Sequence, residues 1–408
     1  MKTIRLEKVA TPDSIIEIDL PASKSISNRA LIIQHLAEAM ITIENLSEAD
    51  DTVHLNGALQ TEGDELWMGD AGTAARFSIA YAAAKEGVRI IRGSERLSER
   101  PMEPLIKALR SLGANITCLE KEGYLPLEVV GRELAGSEVE IEASVSSQFI
   151  SALMLIGPQL PKGLRIKFKG KPTSLPYLTI TKKVMETCGA ALKIEDNFIA
   201  IEPKKYADAT VKVEPDWSAA SYFFSAMAIN PQLKLVLKGL TANAIQGDAH
   251  LVELYRPLGV KYTFNDRGLL LEHSGQVTAP TTIDLQNTPD LAQTIAVTYA
   301  GINLPVELTG LHTLKVKETD RLEAMVNELR RVGVDARATN DSLFVKSGHS
   351  LIADQHIQTY GDHRMAMAFA PLVFKTDLSL ENPPVVAKSF PDFFSQFSKL
   401  GLTTSTID

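Results

Sequence analysis

Cations and hydroxyl groups collect where helices are expected to begin. Lys24, Ser25 and Arg29 surround Ser27, which reads as the cap of a helix with Ile26, Ala30, Ile33 and Ala37 on one face. Gly69-Asp70-Ala71-Gly72-Thr73 precedes a helix through Ala84 with Arg76 in its first turn, and Gly72 would let a ligand approach the backbone. Ser146-Ser147-Gln148 opens another helix, and Thr288-Pro289-Asp290 offers a cap, a proline at the first helical position and a carboxylate. Lys317-Glu318-Thr319-Asp320-Arg321 and Asp362-His363-Arg364 each lead into a helix, and Lys388-Ser389 precedes Phe390-Pro391-Asp392 at the start of the last one. A cation in the first turn opposes the helix dipole by ~0.3–1 kcal/mol. Seven of them, Lys24, Arg29, Arg100, Lys317, Arg321, Arg364 and Lys388, therefore point to a strongly anionic ligand, with backbone N–H groups and guanidinium forks to hold it.

The anion is not a familiar nucleotide. The chain contains no G-x-x-x-x-G-K-[ST], and Gly69 to Gly72 does not fit G-x-G-x-x-G, so neither ATP nor NAD is implied. Bulk charge excludes other partners. The 408 residues carry 42 Lys+Arg against 50 Asp+Glu, a net charge of -8, without long runs of one sign, so neither a nucleic acid nor a membrane surface is expected as partner. The two cysteines, Cys118 and Cys188, lack ligand spacing and read as buried thiols in a reducing cytosol. Without a signal-like N-terminus or a spanning apolar run, a cytoplasmic protein is expected, and no metal site is read.

The elements that position these groups recur. Amphipathic segments end at Gly113, Gly189, Gly259, Gly333 and Gly401, which stand 76, 70, 74 and 68 residues apart, so the chain holds about six units of about 70 residues. Glycine after a helix permits the left-handed residue from which the chain turns into a strand, and a hairpin is expected after each. Before Gly333, Leu322, Met325, Val326 and Leu329 have the spacing of one buried helix face, and after it Asp341-Ser342 reads as a hairpin turn. Length alone suggests two or three domains, and the polar stretch Pro203 to Glu214 marks a break near the midpoint. Six units could form a solenoid, a barrel or two lobes of three.

Taken in order, the segments resemble the EPSP synthase (3-phosphoshikimate 1-carboxyvinyltransferase) family. The matching phrases are Pro21-Ala22-Ser23-Lys24-Ser25-Ile26-Ser27-Asn28-Arg29, Asp70-Ala71-Gly72-Thr73, Glu99-Arg100-Pro101, Ser146-Ser147-Gln148-Phe149 and Ser174-Leu175-Pro176-Tyr177. Further on come Pro289-Asp290, Lys317 to Arg321, Asp362 to Met367 and Lys388 to Asp392. The resemblance implies an α/β fold, a two-lobed inside-out α/β barrel with three βαβαββ repeats per lobe. One lobe would be 21–214 and the other 1–20 plus 215–408. It also implies transfer of the enolpyruvyl group of phosphoenolpyruvate to the 5-hydroxyl of shikimate 3-phosphate with release of phosphate, in aromatic amino acid biosynthesis, without a cofactor. A monomer that closes on its two substrates is expected, as is inhibition by glyphosate.

By that resemblance, Lys24, Ser25, Arg29, Ser146, Ser147, Gln148, Ser174, Tyr177, Asp290 and Lys317 hold shikimate 3-phosphate. Lys24, Gly72, Arg100, Gln148, Arg321, Arg364 and Lys388 meet phosphoenolpyruvate, and Arg76 either acts behind these ligands or is structural. Asp290 is the expected base on the hydroxyl, and Glu318, with Lys24 as rival, the proton donor to carbon. Three positions depart from the family's pattern: Ala22 for Gly, Asp70 for Asn, and Thr313 for Asn or His. Two other readings stand beside this one, a UDP-N-acetylglucosamine enolpyruvyl transferase and a non-catalytic anion-binding protein on the same fold. The first relies on a loop cysteine, whereas Cys118 sits in strand-like sequence and Cys188 ends a helix.

Overall fold

Helices that are apolar on every side must be surrounded by protein, and several segments of this chain have that character. Trp217–Ile229 and Ala292–Gly301 are buried at every position, and Gly72–Ala84 and Ser147–Ile156 at nearly every one. Strands such as Glu138–Glu142 instead alternate buried and exposed residues, as expected for a sheet with one face on the core. The computed structural model describes residues 2–8, 10–61, 63–142, 146–170 and 174–407. It divides into two compact units, Ala22–Val213 and Met1–Pro21 with Glu214–Asp408.

The unit 22–213 carries helices α1 (Lys24–Leu36), α2 (Asp50–Gln60), α3 (Gly72–Ala84), α4 (Glu95–Ser98), α5 (Glu103–Ser111), α6 (Ser147–Ile156) and α7 (Leu175–Thr187). Helices α1, α3, α6 and α7 pack on one another at its centre. The other unit carries α8 (Trp217–Ile229), α9 (Leu251–Tyr255), α10 (Ala292–Gly301), α11 (Arg321–Arg331), α12 (His363–Phe369) and α13 (Phe393–Ser398). Here α10 packs on both α8 and α12. Hydroxyls answer one another where α8 and α10 meet inside an apolar core. Ser221 Oγ lies 3.1 Å from Thr294 Oγ1, and Thr298 Oγ1 donates to Ser225 Oγ at 2.7 Å.

The repeat is visible in the sheets. Glu65–Trp67 pairs in parallel with Gly87–Arg92, which runs antiparallel to Leu127–Gly131, which in turn pairs with Asn115–Cys118. The same order, one parallel pair followed by an antiparallel hairpin, recurs in the sheets built on Leu164–Lys169, Leu235–Lys238 and Val306–Thr309. Gly113, Gly189, Gly259 and Gly333 all have positive φ, between 85° and 102°, and each precedes the hairpin of its unit. The expected turn at Asp341-Ser342 joins Ala336–Ala338 to Leu343–Val345.

Two units depart from the pattern. Gly401 has φ of 87°, but only one strand, Leu402–Ile407, follows it, and the second strand of its pair is Thr3–Lys8 from the N-terminus. The two-stranded sheet of Ile41–Glu44 and Ala209–Lys212 has no hairpin. No described helix is long and apolar enough to cross a membrane.

Candidate active site

Helix starts gather the expected residues in each unit, though not always at the position read from sequence. Helix α1 begins at Lys24 with Ser23 as N-cap, so Ser27 lies inside it and its Oγ accepts from Ser47 N at 3.0 Å. Of the seven cations, Lys24, Arg321 and Arg364 stand in first turns. Arg29 is a turn further in, Arg100 lies between α4 and α5, and Lys317 and Lys388 close or follow short 3-10 segments. The assignment of all seven to first turns is therefore corrected: loops and second turns bring four of them in.

In the unit 22–213, Arg29 joins three helices. Its Nε donates to Thr181 Oγ1 at 2.7 Å, Nη1 to the Ser25 carbonyl at 2.6 Å, and Nη2 to Ser151 Oγ and the Tyr177 carbonyl, both at 3.3 Å. The guanidinium also lies over the Phe77 ring of α3, 5.3 Å from its centroid. Arg29 is 2% exposed, and no described carboxylate lies within ion-pairing distance. Burial without a counter-ion pushes its pKa down to about 10. Such a cation favours an incoming carboxylate or phosphate.

In the same unit, Ser146 caps α6, accepting from Gln148 N at 3.3 Å, and Ser147 is buried. Ser174 precedes α7 with φ of 56° and is buried. Lys24 pairs with Asp51, Nζ to Oδ2 2.7 Å.

Gly72 opens α3 between two guanidiniums. A Cβ built on it would stand 2.6 Å from Arg100 Nη1 and 2.7 Å from Arg76 Nη1, so only glycine leaves both where they are. Arg76 donates to the Gly72 carbonyl at 2.8 Å and lies over Phe149, 5.0 Å from its centroid. Arg100 is buried, its Nε has no hydrogen-bond partner among the described residues, and none of their carboxylates pairs with it. Asp70, the departure beside Gly72, accepts a hydrogen bond from Ser94 Oγ, and Ser94 in turn caps α4 through Leu97 N. The Asp70 carboxylate thus has a hydroxyl partner in its own unit.

In the other unit, cations and carboxylates form one network. Asp290 meets Lys317 Nζ at 3.4 Å, Arg321 Nη1 at 3.0 Å and Arg364 Nη2 at 3.2 Å. Arg321 also binds Asp362, Nε to Oδ2 2.6 Å, and Glu318, Nη2 to Oε2 2.8 Å, while Lys388 approaches Glu318 Oε1 at 3.9 Å. Asp362 is fully buried and caps α12, accepting from Arg364 N at 2.9 Å. Burial pushes the Asp290 pKa up, but Arg364, Lys317 and Arg321 together outweigh it and hold the carboxyl well below its usual 3.8. Burial works against the Arg321 charge, but Asp362, Glu318 and Asp290 prevail and raise its pKa above the usual guanidinium value.

Three contributors escaped the sequence reading. Asp51 looks like an ordinary acidic residue in a helix first turn, and Ser218, 3.4 Å from Arg364 Nη2, like an ordinary capping serine. Asp248 is buried in the segment Gly247–His250, and burial first, then the Asp290 charge, push its pKa up to about 7. Thr313 Oγ1 is buried without a hydrogen-bond partner among the described residues. Cys118 lies in the strand Asn115–Cys118 and Cys188 is buried at the end of α7, but the reading of both as buried thiols is corrected for Cys118, which is half-buried at the end of its strand. No described group of His, Cys, Asp and Glu could hold a metal ion.

Comparison with known proteins finds relatives of the chain. The family model described as EPSP synthase (3-phosphoshikimate 1-carboxyvinyltransferase) matches residues 14–66 and 55–397. The chain is 42% identical over 389 residues to a 3-phosphoshikimate 1-carboxyvinyltransferase of Bacteroides fragilis strain YCH46, covering 94% of this chain and 95% of that one. It is 33% identical over 430 residues to the enzyme of the same name from Tolumonas auensis, covering 98% and 99%. Among solved structures, EPSP synthase from Acinetobacter baumannii superposes with a TM-score of 0.81 at 21% identity over the whole of both chains. The enolpyruvyl transferase NikO from Streptomyces tendae superposes with a TM-score of 0.76 at 14% identity, over 100% of this chain and 99% of that one. At such identities the likeness is one of fold.

Proposed function

We infer the reaction from kinship: the chain belongs to the EPSP synthase (3-phosphoshikimate 1-carboxyvinyltransferase) family, and on that premise it joins shikimate 3-phosphate to phosphoenolpyruvate and releases phosphate. The observation that carries the reading is that each unit holds a cluster of buried cations. Arg29 and Arg100 are buried without described carboxylate partners, and Lys317, Arg321, Arg364 and Lys388 surround Asp290 and Glu318. Each substrate carries a phosphate and a carboxylate, and a guanidinium meets either with two parallel, charge-assisted hydrogen bonds.

The chemistry is addition followed by elimination. The methylene carbon of phosphoenolpyruvate gains a proton, the 5-hydroxyl loses one, and its oxygen bonds to the neighbouring carbon. That carbon then holds a methyl group, the carboxylate, the phosphate and the new ether. Loss of a proton from the methyl group and cleavage of the carbon–oxygen bond to phosphate restore the double bond. Asp290 takes the hydroxyl proton and Glu318, or Lys24, delivers one to carbon.

Asp290 held by three cations is a weak base. Substrate anions compete for Lys317, Arg321 and Arg364, and each cation they draw off restores basicity to Asp290. The same competition frees Glu318 from Arg321 and Lys388. Shikimate 3-phosphate is assigned to Lys24, Ser25, Arg29, Ser146, Ser147, Gln148, Ser174, Tyr177, Asp290 and Lys317. Phosphoenolpyruvate is assigned to Lys24, Gly72, Arg100, Gln148, Arg321, Arg364 and Lys388.

The test is phosphate release on mixing the two substrates, with UDP-N-acetylglucosamine in place of shikimate 3-phosphate as control. Release with shikimate 3-phosphate and none with the nucleotide sugar is expected. The reverse would assign the chain to the nucleotide-sugar reaction, and release with neither would leave an anion-binding protein.

A further inference from the structure

Lys24 opens α1, where the helix dipole disfavours a cation, and it is nevertheless fixed. Its Nζ lies 2.7 Å from Asp51 Oδ2, with the lysine side chain 17% exposed and the aspartate 8%. Asp51 stands in the first turn of α2 beside Asp50. Asp50 is exposed and can answer the α2 dipole from solvent, whereas Asp51 is buried and turned to the lysine. Burying a carboxylate carries a desolvation cost that a dipole partner on the surface avoids.

Two further contacts fix the same pair of segments. Thr52 Oγ1 donates to Asn28 Oδ1 at 2.9 Å, and Ser47 N donates to Ser27 Oγ at 3.0 Å. Ser27 and Asn28 lie three and four residues beyond Lys24, on the same side of α1. Lysine is a flexible point charge on a four-carbon stem. Here the carboxylate and the bracket around it define where its ammonium stands.

We propose that Asp51 is the positioning residue of Lys24, fixing its ammonium so that the two donors left over face the incoming anions in one orientation. The proposal rests on the reaction inferred above and adds a residue that touches neither substrate. The Asp51 charge also subtracts from the attraction of the lysine for anions. Removing it therefore loosens the ammonium while strengthening the net pull on substrate, a combination that general damage to the fold would not produce.

Steady-state kinetics of Asp51→Asn, Asp51→Glu and Asp50→Asn test this, with urea unfolding of each variant alongside. Asp51→Asn should lower kcat at least tenfold while KM for phosphoenolpyruvate stays level or falls. Asp51→Glu, which keeps the counter-ion but moves it by one methylene, should lie between, with kcat at least threefold below wild type. Asp50→Asn should match wild type. If Asp51→Asn does not fold, Asp51→Glu carries the test by the same criterion. A folded variant with unchanged kcat, or with KM raised and kcat intact, overturns the proposal. Absence of phosphate release by the wild-type protein overturns the reaction instead.

Discussion

Arg321→Met removes the guanidinium that ties three carboxylates together. Arg321 is fully buried and reaches Asp362 at 2.6 and 3.3 Å, Glu318 at 2.8 Å and Asp290 at 3.0 Å. Methionine fills much of the volume, so packing loss is small and the change isolates the charge. Asp290 keeps Lys317 and Arg364, and Glu318 keeps Lys388 at 3.9 Å. Asp362, fully buried, loses its guanidinium and retains the Arg364 N–H as cap. Stranding one partner of a buried pair costs about 3–5 kcal/mol. Combining it with Asp362→Asn removes the stranded charge, and the pair should recover about 1–3 kcal/mol relative to the sum of the single changes. The assay is urea unfolding of the full chain, read as a shift of midpoint at constant slope. A loss below about 1 kcal/mol for Arg321→Met, or strict additivity of the two changes, would refute the view that this network is held by mutual ion pairing.

Other consequences follow from single contacts. Gly72→Ala would press its methyl on Arg100 and Arg76, whose flexible ends can give way. The fold should persist while KM for phosphoenolpyruvate rises about tenfold, equivalent to about 1.4 kcal/mol, and an unchanged KM would refute the placement of Arg100 on that substrate. Asp248, with its pKa pushed up to about 7, keeps in the folded state a proton that the unfolded chain releases near 3.8. Its favourable contribution is complete at low pH and declines as pH rises through that window. Asp248→Asn should therefore gain stability relative to wild type between pH 5 and pH 8, by a few kcal/mol at most, and urea midpoints at the two pH values decide it. Glu318→Gln should abolish most turnover with both substrates saturating; near-normal kcat would remove Glu318 as proton donor.

What local sequence could reveal depended on the range of the interaction. A glycine that ends a helix in the left-handed conformation is a local event, so Gly113, Gly189, Gly259 and Gly333 announced their hairpins directly. Gly401 did not, because its hairpin is completed by Thr3–Lys8 from the far end of the chain. Likewise Asp290, Glu318 and Arg321 stood out as charged residues near helix starts. Asp362, the partner of Arg321, stood out only as part of a phrase leading into a helix, since its Oδ2 turns to a residue 41 positions away. Ser27 was misread as a cap because Ser23, one turn earlier, also fits. Its hydroxyl serves Ser47 N, a tertiary contact. Asp51 was invisible for the same reason: nothing in an Asp-Asp pair at a helix start says which of the two is buried.

The most direct test of the addition–elimination account is a partial turnover in deuterium oxide, with the product's enolpyruvyl methylene protons read by NMR. A methyl group formed in the intermediate must return one of three hydrogens, so deuterium should appear in the methylene of the product. A product free of deuterium after turnover would contradict protonation at that carbon and with it the role given to Glu318 or Lys24.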